Sequence, residues 1–155
     1  MLVLDEVVIG DSMGHSFTSF RGKHVRAKDY KIETWLRLMV RQIDSLSVVP
    51  TSLHVAHDYW VDHARNYANG CMDLDLDRYL VEEEERNTVL ELCSNIQAQL
   101  ELFGKFIPKE FLNELCDLQP PNQIREDNLT ALYLSFNRAM LKLISGQQAA
   151  DLENA

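Results

Sequence analysis

The chain has 155 residues and a net charge of −9, from 24 acidic and 15 basic side chains. Like charge repels phosphate backbones and anionic lipid surfaces, so neither nucleic acid nor membrane is an expected partner, and a basic protein is. The hydrophobic fraction is 46%; at this length a globular chain hides roughly 68–70% of its unfolded surface, enough for one well-formed core.

The first thirty residues are β-prone. Leu2 to Leu4 and Val7 to Ile9 are short apolar runs, and Gly10, Asp11, Ser12 and Gly14 supply turn chemistry. Phe17 to Phe20 and His24 to Ala27 flank Arg21-Gly22-Lys23, which reads as a hairpin loop. The period then changes. Ile32, Trp35, Leu36, Met39, Ile43 and Leu46 recur at helical spacing, with Asp29 as the expected N-cap and Pro50 as the breaker. A second helix, capped by Thr51 or Ser52, carries Leu53, Ala56, Trp60, Ala64 and Tyr67 and ends at Asn69-Gly70.

A third helix carries Val89, Leu92, Cys93, Ile96, Leu100 and Phe103. Glu82 to Glu85 stand ahead of it, where acids complement the helix dipole, and Gly104 closes it. Pro108 opens a short fourth helix with Phe111, Leu112 and Leu115 facing inward, stopped by Pro120-Pro121. The last helix starts at Asp127 or Asn128. Leu129, Leu132, Tyr133, Phe136, Met140, Leu143 and Ile144 line one of its faces, and Gly146 ends it. The expected fold is therefore α+β and helix-dominated: a short N-terminal β-hairpin or small sheet followed by four to five helices. One globular domain is expected over residues 1–146, with a polar C-terminal tail over 147–155.

Three cysteines, Cys71, Cys93 and Cys116, are odd in number and form no CxxC pair, so reduced thiols in a reducing compartment are expected. The N-terminus turns acidic by residue 5, unlike a secretory leader. No apolar run approaches the ~20 residues of a membrane span. A cytoplasmic location follows as the expectation.

Charge is uneven. Residues 1–50 carry a net +1, with Arg21, Lys23, Arg26, Lys28 and Lys31 clustered around the hairpin. Residues 51–155 carry −10. The densest block runs from Asp73 to Glu85, with seven acids against Arg78. Asp73, Asp75, Asp77 and Glu84 echo loop positions one, three, five and twelve of a calcium loop. Arg78 nevertheless stands where that loop needs glycine. Leu74 and Leu76 point instead to a solvated acidic connection anchored on the core.

His54, His57 and Asp58 fall within one arc of the second helix and are suitable ligand types for zinc, iron or manganese. No HExxH motif is present, and His63 lies on the opposite flank. Neither a nucleophile elbow nor a phosphate-binding glycine loop is present, and the acids beside Cys71 disfavour a reactive thiolate. No cofactor is expected.

The leading expectation is a non-enzymatic protein-binding module, most concretely an acidic, immunity-type neutraliser that masks a basic toxin or enzyme. Asp73, Asp75, Asp77, Glu82, Glu83, Glu84 and Glu85 would form its binding face. The alternatives are a small metal-dependent enzyme using His54, His57 and Asp58, and a secretion chaperone or adaptor.

Overall fold

A computed structural model describes residues 14–67 and 70–146. The β-prone runs at Leu2–Leu4 and Val7–Ile9, the turn residues Gly10 to Ser12, Asn69 and the tail from residue 147 lie outside the described residues. Two strands, β1 (His15–Phe20) and β2 (Lys23–Lys28), pair antiparallel with Phe20 opposite Lys23. Six helical segments follow: α1 (Asp29–Asp44), α2 (Thr51–Asn66), α3 (Leu76–Tyr79), α4 (Glu83–Leu102), α5 (Lys109–Leu115) and α6 (Thr130–Ser145). A two-residue ladder joins β3 (Phe106–Ile107) to β4 (Asn128–Leu129). The α+β, helix-dominated architecture is as the residue pattern predicts.

The hairpin turns through Arg21 and Gly22 alone, both at positive φ (51° and 81°). That two-residue geometry matches the twist of the strands and favours Asn-Gly, so Arg21 is an unusual occupant. Two contacts hold it there. Its backbone N–H donates to Asp77 Oδ1 at 2.9 Å, and its guanidinium lies 4.9 Å from the centre of the Phe20 ring.

Helix α1 is central: α2, α4, α5, α6 and β2 all pack on it. This explains why Thr34 and Leu38 are buried beside the predicted stripe of Ile32, Trp35, Leu36, Met39 and Ile43. A helix covered on several sides buries more than one face. Leu53, Ala56, Trp60 and Ala64 of α2 and Val89, Leu92, Cys93, Ile96 and Leu100 of α4 face inward as their spacing requires.

The helix starts are corrected. Asp29 does not cap α1; it is the first helical residue and its carboxylate is fully buried. The residue before α2 is Pro50, and neither Thr51 nor Ser52 caps it. Asp127 accepts a hydrogen bond from the Lys109 N–H at 2.9 Å, so it caps α5 from a distance of eighteen positions. This serves a helix whose own preceding residue, Pro108, has no capping side chain. Helix α6 begins later, at Thr130. Asn128 and Leu129 pair with β3 instead, which leaves Leu129 outside the apolar face. Helix α5 ends at Leu115, with Asp117 in the left-handed region (φ 52°), before Pro120-Pro121 is reached.

Candidate functional site

The acidic segment between α2 and α4 is fastened to the core along its length. Asp29 moors its start: one carboxylate oxygen accepts from the Ser16 hydroxyl and the other from the Gly70 N–H at 2.7 Å. Ser16 in turn accepts from the Met72 N–H at 2.9 Å. Backbone meets backbone here, because a side chain on Gly14 would come within 3.1 Å of the Gly70 nitrogen. Further along, the Tyr59 hydroxyl and the Trp60 indole donate to the carbonyls of Asp73 and Leu74, each at 2.9 Å. Leu74, Leu76, Tyr79 and Leu80 are buried.

Burial then alternates along the segment. Met72, Leu74 and Leu76 point in, while Asp73 and Asp77 are exposed and Asp75 is half-buried. Period two makes this outcome legible in an extended stretch. Asp75 takes the left-handed conformation (φ 55°), and its N–H donates to Asp73 Oδ1 at 3.0 Å. Helix α3 follows, then Val81, 61% exposed, and then Glu82, Glu83 and Glu84, all exposed. The side chains of those three glutamates make no hydrogen bond or ion pair among the described residues. Arg78 pairs with Asp75 at 3.7 Å. Five of the seven expected carboxylates, those of Asp73, Asp77, Glu82, Glu83 and Glu84, belong to exposed residues, and Asp75 is half-buried, along a segment held by apolar anchors.

Glu85 is the correction. It stands four residues before Val89 on the inner face of α4 and is 6% exposed, with Oε2 unpartnered among the described residues. Helical rotation turns the fourth glutamate of the run inward, so it belongs to no docking face. Asp77 has a structural duty as well, since its carboxylate holds the hairpin turn.

The calcium-loop pattern does not close into a cage. Helix α3 occupies the middle of the twelve positions, and Asp77 faces the hairpin. His54 is exposed. His57 binds Asp44 Oδ1 through Nε2 at 2.8 Å and Asp58 Oδ1 through Nδ1 at 3.2 Å. The two ring nitrogens point in opposite directions, so those carboxylates cannot converge with His57 on one ion. Among the described residues, no group of three or more His, Cys, Asp or Glu side chains is placed to hold a metal ion.

His63 lies elsewhere, stacked on Tyr59 at 5.1 Å and 15°. Burial lowers its pKa, against the opposing pull of Asp73 and Asp62. Cys93 and Cys116 are buried in the core and Cys71 is exposed; burial raises the two core thiols, Cys116 to about 11. Trp35 and Trp60 are core residues.

Two features escape the sequence reading. Asn137, in the middle of the apolar face of α6, is fully buried. Arg37, Arg41 and Arg65 line one cleft between α1 and α2. Arg37 and Arg41 are four apart on α1, a visible pair, but only the packing of α1 on α2 brings Arg65 to them. No helix among the described residues is long and apolar enough to cross a membrane. Comparison with family models, curated proteins and solved structures finds no match to this chain.

Proposed function

We propose that this protein is a non-enzymatic binding module that docks a basic protein partner on the acidic shoulder formed by Asp73, Asp75, Asp77, Glu82, Glu83 and Glu84. Its concrete form is a neutraliser that covers the positive active site of a toxin or enzyme, where carboxylates imitate phosphate. The observation that carries this reading is the anchoring of the segment. Leu74, Leu76, Tyr79 and Leu80 hold it on the core, while Asp73, Glu82, Glu83 and Glu84 are exposed, with exposed Val81 directly ahead of the glutamates. A charged face fixed before binding loses less conformational entropy on docking than a flexible acidic tail would. Three glutamates without ion partners among the described residues leave negative charge available to a cationic surface.

The test uses a variant that spares Asp77, because Asp77 supports the hairpin. The partner captured on the immobilised native chain is identified, and its association rate is measured across a salt series. The measurement is repeated with Glu82→Gln/Glu83→Gln/Glu84→Gln. The native rate is expected to fall steeply with salt, and the triple variant to associate more slowly at low salt. A partner with no basic face, or rates equal for both chains and flat in salt, would remove the shoulder from the binding site.

A further inference from the structure

A cleft of about 290 Å³ lies between α1 and α2, bordered by Leu115 at the end of α5. Its charge contrasts with the acidic chain around it. Arg37, Arg41 and Arg65 line it, with Asp44 the one carboxylate among its lining side chains. The arrangement follows from helical spacing: Arg37, Val40, Arg41 and Asp44 form one stripe of α1, and His57, Val61 and Arg65 form one stripe of α2. Val40, Val61 and Leu115 give the cleft an apolar wall.

The three guanidinium groups differ in availability. Arg37 is built into the fold, with Nε on Glu33 at 2.9 Å and its terminal nitrogens toward the carbonyls of Ala64 and Leu115 at 3.4 and 3.5 Å. Its side chain is 16% exposed. Arg41 pairs with Glu114, but the two side chains are 43% and 65% exposed. Ion pairs in such surroundings stabilise little and exchange readily. Arg65 is exposed and makes no hydrogen bond or ion pair among the described residues. Asp44 is engaged by His57.

We propose that this cleft binds a small organic monoanion, a carboxylate joined to a compact apolar body. The carboxylate meets Arg65 and Arg41, whose planar forks match its two oxygens. The apolar body lies against Val40, Val61 and Leu115. The volume sits at the lower edge of the range for ligand sites, which sets the size at that of a small metabolite. Asp44 sets the charge. A phosphate dianion would meet more repulsion from its carboxylate than a monoanion would, and among the described residues Arg65 is the one guanidinium of the cleft without a partner. The cleft is built from α1, α2 and α5 and has the opposite charge to the acidic shoulder, so its occupancy is separable from partner docking.

The test titrates the isotope-labelled full chain with benzoate and with 3-methylbutanoate, following backbone amide resonances. Neutral benzamide and inorganic phosphate serve as comparisons. At least one carboxylate is expected to give saturable shifts at millimolar concentration, centred on residues 37–44 and 57–65. Arg65→Gln, at an exposed position, should retain the native spectrum and weaken that binding by at least about fivefold, in keeping with a charge-assisted hydrogen bond in partly solvated surroundings. Arg41→Gln should act in the same direction. The proposal is overturned if neither carboxylate saturates, if benzamide binds equally well, if phosphate alone binds these residues, if the shifts centre elsewhere, or if both arginine variants bind as the native chain does.

Discussion

Asn137 offers a direct measure of how the helices are locked together. It is fully buried on α6, accepts from the Trp35 indole N–H of α1 at 2.9 Å, and donates to the Cys93 carbonyl of α4 at 2.9 Å. Asn137→Leu keeps the branching and heavy-atom count of the side chain but strands the Trp35 N–H. A buried donor left unpaired costs roughly 1–3 kcal/mol. The Cys93 carbonyl lies inside α4 and has a helical donor as well, so it adds little. For a chain of this size, each kcal/mol lowers Tm by about 2–4 °C, giving an expected fall of roughly 2–12 °C.

Trp35→Phe removes the donor and keeps a ring beside Phe136, which Trp35 meets edge-on at 6.0 Å. Within the indole–amide bond, each single variant leaves one partner unpaired, and the double variant removes both. The double variant should therefore lose less stability than the two singles combined, by about 1–2 kcal/mol. Urea unfolding followed by far-ultraviolet circular dichroism gives all four corners of the cycle. Additivity within about 0.5 kcal/mol would show that the indole–amide bond does not couple α1 to α6, and the reasoning would fail.

Two further outcomes follow from burial and titration. Burial holds the folded-state pKa of His63 below its unfolded value of about 6.5, so the unfolded chain takes up the proton first. The contribution is full above that pH and is lost as pH falls toward the folded pKa; His63→Gln should flatten this part of the urea-midpoint profile, and parallel profiles would contradict it. Under native conditions, iodoacetamide should modify one thiol per chain, the exposed Cys71, while Cys93 and Cys116 react only after unfolding. Mass spectrometry counts the adducts, and a second rapid adduct on the folded chain would show that the core is open.

The candidate sites differ in how far they are local. In the acidic segment, the leucines of Asp73-Leu74-Asp75-Leu76 alternate with acids, and that period assigns faces without any knowledge of the neighbours. The inward turn of Glu85 is also local in principle, because Val89 lies one helical turn further on. The uniform run of glutamates hides it. The arginine cleft is different. Arg65 is 24 positions beyond Arg41, and no pattern within α1 or α2 reports how the two helices are rotated against each other.

Helix positions and inward faces were set by the amino-acid sequence itself, because apolar periodicity is a property of consecutive residues. The stripes of α1, α2, α4 and α6 are of this kind; the hairpin was also legible, but its expected loop Arg21-Gly22-Lys23 shortens to Arg21-Gly22, where Asp77 holds the turn. Tertiary structure decided what the polar side chains do. Asp29 and Asp127 look like caps for the helices they adjoin, yet Asp29 moors Gly70 and Ser16, and Asp127 caps α5. Asn137 interrupts an apolar stripe until Trp35 and Cys93 are brought to it. A buried carboxylate or amide must find partners wherever the packed chain supplies them, and those partners lie 13 to 102 positions away, beyond the reach of any local pattern.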